Sequence, residues 1–364
     1  SKSNLLTGLQ VVSKAVPNKT TMSILECILI DSTSGEIKLT ANDMELGIET
    51  IIEGEILEKG IIALDAKIFL EIVRKLPDND ITITTDSNFK TAITCEKAKF
   101  NIIGKSGEDF SYLPMIERNE SIIISQYTLK EVIRQTIFSI SDNDNNKLMS
   151  GELFEINGEE MRVISLDGHR ISIRKIHLKN SYPAKKVVVP GKTLNEISKI
   201  LSGDADKDVT IFFTDKHIVF EFENTTVVSR LIEGEYFKID QMLSSDYETK
   251  VIIHKKELLD CIDRATLLIK EGDKKPIIIN ITDGSMELKI NSTVGSMDEE
   301  IDIEKMGKDL MIGFNPKFLI DALRVIDDET ITIYLVNPKA PCFIRDEENN
   351  YIYLILPVNF TTVS

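Results

Sequence analysis

The chain has no long apolar run. Its longest, Tyr351 to Val358, falls far short of the roughly 20 residues that a membrane-crossing helix needs, so no part is expected to span a membrane. Cysteine is sparse as well: Cys27, Cys95, Cys261 and Cys342 are scattered without a CxxC pair, which argues against a disulfide framework and against structural zinc. The N-terminus has no signal-peptide pattern, and the expected compartment is a reducing cytoplasm. Basic residues are in the minority, 43 against 59 acidic for a net charge of −16, which on its own argues against a simple basic nucleic-acid binder.

Signatures of catalysis and metal binding are also missing. His169, His177, His217 and His254 lack metal-ligand spacing, and neither a G-x-S-x-G elbow nor an H-E-x-x-H helix occurs. Gly191-Lys192-Thr193 follows the strand-like Val187 to Val189, but a phosphate-binding loop needs a glycine where Lys186 stands. Asp142 to Asn146 begins like a calcium loop, yet Lys147 takes the required glycine position and Leu153 the final glutamate position; a polar loop is expected. Asp167 and His169 are two apart with no third partner, so a turn role is expected rather than acid and base chemistry. No enzyme activity, cofactor or metal is expected.

What is present is repetition. At 364 residues, 42% hydrophobic and 28% charged, the chain exceeds one ordinary core, and two or three domains are expected. A helical apolar pattern recurs in Asn4 to Leu9, Thr128 to Ile133 and Glu257 to Ile262. A strand followed by a helix recurs in Ile61 to Lys67, Val187 to Lys192 and Met311 to Lys317, with Lys67, Lys192 and Lys317 each 125 positions apart. Alternating strand-like runs follow at Ile81 to Thr84, Val209 to Phe213 and Ile331 to Leu335. Each third therefore reads as two units of a helix plus strands, and the whole as α+β: three repeated domains with about six helices covering antiparallel sheets. Turn-rich Glu117 to Glu120 and Ser244 to Glu248 place the domains at 1–120, 121–246 and 247–364.

The second-unit helices carry basic pairs seven residues apart: Lys67 with Arg74, Lys192 with Lys199, and Lys317 with Arg324. Seven steps of about 100° return to within about 20° of the start, so each pair shares a helix face. Lys14, Lys130 with Arg134, and Lys255, Lys256 with Arg264 add to this from the first-unit helices. Glu71, Glu196 and Asp321 stand four residues after each lysine, and such pairs also serve merely to stabilise an exposed helix. Binding of DNA is compatible with the acidic total only if charge is segregated between surfaces.

Leu166-Asp-Gly-His-Arg170, set between Gly151-Glu-Leu-Phe-Glu155 and Tyr182-Pro183, resembles the middle-domain signature of the bacterial sliding clamp, the beta subunit of DNA polymerase III. Gly313-Phe-Asn315, Leu354-Ile-Leu-Pro-Val358 and the threefold repeat extend the resemblance over nearly the whole chain. It implies a head-to-tail homodimer, a closed ring of six domains with helices lining a hole around duplex DNA. DNA contact would be backbone-directed and independent of sequence. Partners, namely the replicative polymerase, a clamp loader and other proteins carrying a short motif, would dock between the middle and last domains. The resemblance assigns that pocket to Met149, Leu166, Gly168, His169, Arg170, Ile171, Phe237, Met242, Asn315, Phe318, Pro341, Leu354, Ile355, Leu356, Pro357 and Val358. Apolar walls would take hydrophobic anchors, Gly168 would allow close backbone approach, and His169, Arg170 and Asn315 would offer hydrogen bonds.

The same carry-over sets Phe100 of one copy against Leu267 and Leu268 of the other. It brings Lys19 and the loop Asn145, Asn146, Lys147 and Leu148 to DNA, beside the basic helix faces. Three departures stand out. The family's first strand is unaccounted for before the helix that follows Ser1-Lys-Ser3; Phe237 stands where proline is common; and Asn359 replaces a frequent basic residue, with Phe360 to Ser364 extending beyond. Two other readings remain: a hydrolase or transferase on a repeated α+β scaffold, and an adaptor that keeps the pocket without encircling DNA.

Overall fold

A computed structural model describes residues 1–143 and 145–360. Asp144 of the calcium-loop-like stretch and residues 361–364 of the C-terminal extension lie outside the described residues. Six α-helices occur among them, at the places the repeats predict: α1 (Lys2–Val12), α2 (Ala66–Lys75), α3 (Gln126–Arg134), α4 (Gly191–Ile200), α5 (Lys255–Ala265) and α6 (Pro316–Val325).

Their starts have local causes. The Asp65 side chain accepts the Ile68 amide at 2.9 Å ahead of α2, and the Ser125 hydroxyl accepts the Thr128 amide at 3.0 Å at α3. Asn315 accepts the Lys317 amide at 3.0 Å, with Pro316 as the first residue of α6. Each satisfies an amide that the helix cannot. Arg74, Arg134, Lys199, Arg264 and Arg324 fall in last turns, where a cation opposes the negative end of the helix dipole. The inner faces repeat at three and four residues, as in Leu258, Cys261, Ile262 and Ala265 of α5.

Compactness divides the chain into two units that do not coincide with the three repeats. The first comprises Ser1–Lys130 and Lys192–Leu231, the second Glu131–Gly191 and the chain from Ile232 onward. In the first unit a nine-stranded sheet runs in the order Lys105–Ser106, Ile61–Asp65, Cys27–Asp31, Ile37–Asn42, Leu46–Ile52, Thr225–Arg230, His217–Phe222, Asp208–Phe213, Glu120–Ser125. A three-stranded sheet of Thr82–Thr85, Lys90–Cys95 and Ala98–Ile103 completes it.

The second unit has a seven-stranded sheet ordered Gly151–Leu166, Arg170–Pro190, Tyr351–Ile355, Cys342–Arg345, Thr330–Leu335, Thr249–His254, Glu304–Gly307. Its four-stranded sheet is ordered Ser296–Asp302, Ser285–Asn291, Ile277–Thr282, Leu310–Phe314. Each larger sheet runs across a repeat boundary: Ile48 pairs with Val227 in the first unit, and Ile171 with Leu354 in the second. This is why compact units cut through the middle repeat. All four cysteines are buried and free, and no helix among the described residues is long and apolar enough to cross a membrane.

Candidate functional site

The residues expected to form a pocket all belong to the second unit, around the turn that joins its two longest strands. Asp167 makes that turn: its Oδ1 accepts the His169 amide at 2.9 Å and the Arg170 amide at 3.1 Å. Gly168 sits at φ +89°, a left-handed conformation in which a β-carbon would be strained. The turn is tied to the last strand by the Leu356 amide, which donates to the His169 carbonyl at 2.9 Å. The expected turn role of Asp167 and His169 is what the geometry gives.

Leu166, Ile171 and Leu354 meet in one buried cluster on one face of the seven-stranded sheet, with Tyr334, Phe343 and Tyr236. Met149 and Phe237 are half-buried against it, while Met242 and Leu356 are 57% and 37% exposed. Pro341, Pro357 and Val358 are half-buried, and the Val358 amide donates to the Gly313 carbonyl at 2.9 Å. His169 is exposed and stacks on Phe318, ring centroids 6.0 Å apart. The result is an apolar face with exposed sulfur, aliphatic and aromatic edges, the chemistry that takes hydrophobic anchors.

Three expected pocket residues behave differently. Ile355 is 1% exposed and belongs to the other core, with Leu319 and Leu323 of α6. It neighbours Leu354 on a strand, and successive strand side chains point to opposite faces. Arg170, expected to offer hydrogen bonds outward, turns its guanidinium inward. Its Nε donates to Asp167 at 3.0 Å, Nη1 to Asp321 at 2.7 Å and Nη2 to the Phe138 carbonyl at 2.8 Å. Asn315 spends its side-chain oxygen as the cap of α6. Asp321 and Phe138 are the partners that sequence reasoning missed in this role. Asp321 lies 151 positions from Arg170, a separation that leaves no local pattern.

A separate open cavity of about 490 Å³ in the same unit is lined by Glu155, Arg162, Lys175, Arg345 and Asn349 among others, and by none of the expected residues. Within it Arg162 pairs with Glu155 at 2.6 Å and reaches out to Asp240 at 3.0 Å, and Arg345 donates to the Ser244 and Ser245 carbonyls at 3.3 Å.

The basic helix faces are largely engaged, and not in the expected register. Glu71 and Glu196 pair with the basic residue three positions later, Arg74 and Lys199, instead of the lysine four positions earlier. Lys192 instead reaches Asp43, and Asp321 is taken by Arg170. Arg324 pairs with Asp263 at 3.5 Å, and Arg134 with Glu131 at 2.8 Å and Asp327 at 3.6 Å. Lys130 donates to the Leu201 carbonyl at 3.3 Å. Lys19, Lys67 and Lys317 are exposed with no ion pair among the described residues. Lys147 and Asn145 are exposed, and Asn146 accepts the Leu148 amide at 3.2 Å to start a short turn. Phe100, at 42% exposure, lies on the outer strand of the three-stranded sheet, and Leu267, at 81%, on a turn after α5 where Leu268 packs half-buried against the core.

Comparison with known proteins then decides the family. Models of the N-terminal, central and C-terminal domains of the DNA polymerase III beta subunit match residues 1–114, 123–238 and 240–359. The chain belongs to this family. It is 34% identical to the beta sliding clamp of Staphylococcus aureus, over 97% of this chain and 96% of that protein. A putative DNA polymerase III beta subunit from Eubacterium rectale is similar at 77% identity with a TM-score of 0.97, covering 99% of this chain and 98% of that one. The sliding clamp of Bacillus subtilis is similar at 33% identity, TM-score 0.96 and the same coverage. The family's three domains account for the three repeats.

Proposed function

We propose that the chain is a non-catalytic sliding clamp. In this reading two copies close head to tail around duplex DNA, and the apolar face beside the Asp167 to Arg170 turn docks short motifs of the replicative polymerase and other partners. The three repeats are proposed to be domains at 1–120, 121–246 and 247–364. The observation that carries the ring is the repeat logic of the sheets. At each of the two internal boundaries, the last strand of one repeat pairs with a strand from the earlier half of its neighbour: Thr225–Arg230 with Leu46–Ile52 and Tyr351–Ile355 with Arg170–Arg174. By equivalence the strands left without a counterpart are Ala98–Ile103, followed in the first repeat only by the two-residue Lys105–Ser106 before the boundary, and Ser296–Asp302 in the third, each at the edge of its sheet.

Unpaired edges are templates for another chain, and a second copy supplies each with its complement. The first edge carries Lys97 and Lys99 near Phe100, the second Asp298, Glu300 and Asp302, so opposite charges would steer the pairing. Leu267 supports the same reading, since an 81% exposed leucine gains from burial at an interface.

The test is mass in solution by light scattering, for the chain and for Leu267→Asp with Leu268→Asp. The expected mass is twice 41.0 kDa, falling to a folded monomer in the double variant. A monomer at all concentrations would remove the closed ring. A second reading, the adaptor without DNA, is favoured by the carboxylate partners of Arg74, Lys192, Lys199 and Arg324. Retention on circular but not linear DNA separates the two.

A further inference from the structure

We infer that Arg170 is a positioning residue for partner docking: it holds the Asp167 to Arg170 turn against α6 and does not itself touch the docked peptide. The inference rests on the reading of this face as a peptide site. The Arg170 side chain is 7% exposed, and the side chains of Asp167 and Asp321 are 14% and 18% exposed. All three guanidinium nitrogens donate inward, to Asp167, to Asp321 on α6, and to the Phe138 carbonyl past the end of α3. Its carbon lies 4.4 Å from the Phe318 ring centroid, and Phe318 in turn stacks on the exposed His169.

One buried fork therefore joins three segments that are distant in sequence and fixes both rings at the edge of the apolar face. Without it, two largely buried carboxylates would face each other with no cation between them, which is strongly unfavourable. The turn would move off α6, taking His169 with it and releasing Phe318. Lysine keeps the charge but cannot make three planar bonds at once. Arg170→Lys is thus expected to loosen the turn without leaving the carboxylates uncompensated. Affinity for a partner would fall on the order of tenfold, the scale of one or two charge-assisted hydrogen bonds.

The experiment uses the full chain and a fluorescein-labelled hexapeptide with leucine and phenylalanine anchors, read by fluorescence anisotropy. Variants are Arg170→Lys, Asp321→Asn, both together, and Met242→Ala as a direct contact. Hydrogen exchange across residues 166–171 is measured without peptide. The expected result is that Arg170→Lys and Asp321→Asn each weaken binding and speed exchange of the turn, with a double variant no worse than the weaker single. Met242→Ala should weaken binding and leave exchange unchanged. Arg170→Lys that weakens binding with unchanged exchange, in a loss that adds to that of Asp321→Asn, would show Arg170 touching the peptide and overturn the inference. Binding lost in Met242→Ala but intact in Arg170→Lys would overturn it while leaving the peptide site standing. No binding by the unaltered chain would remove the peptide site and the inference together.

Discussion

Glu152 offers a test of how the second unit is held together. It sits on the strand Gly151–Leu166, opposite Val189, with no exposure. Neither carboxyl oxygen has a hydrogen-bond partner among the described residues. The nearby Thr136 hydroxyl gives its proton to the Val132 carbonyl at 2.7 Å. Burial pushes the carboxyl up to about 8, against a smaller opposing influence of Thr136. The folded chain therefore keeps a proton that the unfolded chain releases near 4.5. Stability from this site is full below that pH and is lost as pH rises toward 8, at about 1.4 kcal/mol per unit.

By about pH 7.5 the accumulated loss is about 4 kcal/mol. Glu152→Gln replaces the acid by a neutral group of the same shape and similar desolvation. The two proteins should be nearly equal in stability near pH 5, and the variant should be the more stable by several kcal/mol near pH 7.5. Hydrogen exchange of the strand Gly151–Leu166, compared between the two proteins at each pH, isolates this core from the rest of the chain and cancels the intrinsic pH dependence. A difference that stays constant from about pH 5 to about pH 8 would refute the reasoning, because it would mean that the folded and unfolded chains bind the same number of protons at this site.

Other outcomes follow from the same physical reasoning. Lys67→Glu with Lys317→Glu should shorten retention on circular DNA and flatten the salt dependence of binding by a slope of about 3.6, if each of the four lysines in a two-copy ring neutralises one phosphate; an unchanged slope would put these lysines away from the duplex. Lys97→Glu with Lys99→Glu should raise the dimer dissociation constant most at low salt, as screening of an edge pairing requires; light scattering across salt concentrations reads this. Gly307→Ala should lower the thermal midpoint, because Gly307 holds φ +101° and a β-carbon there would lie 1.9 Å from the Glu248 carbonyl oxygen, a strain of at least about 2 kcal/mol.

Most of the fold was legible because its signals are local and repeated. The apolar spacing of Leu258, Cys261 and Ile262 marks a helix face whatever it packs on, and the 125-residue spacing of Lys67, Lys192 and Lys317 aligns three copies of one unit. Charge pairing was less legible. A glutamate on a helix has neighbours three and four positions away in both directions, and Glu71 and Glu196 chose the later arginine and lysine. Spacing alone allows both, with a modest preference for a glutamate that precedes its cation. What breaks the tie for the first lysines comes from elsewhere in the fold, as when Asp43 draws Lys192.

The candidate site divides along the same line. Leu166, Ile171 and Leu354 were grouped through the resemblance alone, and the structure brings them together by pairing Ile171 with Leu354, whereas Ile355, grouped with them, faces the other side by the two-residue period of the same strand. The opposite orientation of Ile355 was legible in the sequence. The inward turn of Arg170 was not, since it depends on Asp321 and Phe138 arriving from other segments. A carboxylate on an exposed-looking helix position and a carbonyl past a helix end carry no mark of a distant cation. Burying an arginine requires several such partners at once, so a residue expected to offer hydrogen bonds to a partner is one whose chemistry the fold has already used. The residues left to meet a partner are those with weak internal commitments, above all Met242, Leu356 and His169, and their substitution should change affinity with little change in stability.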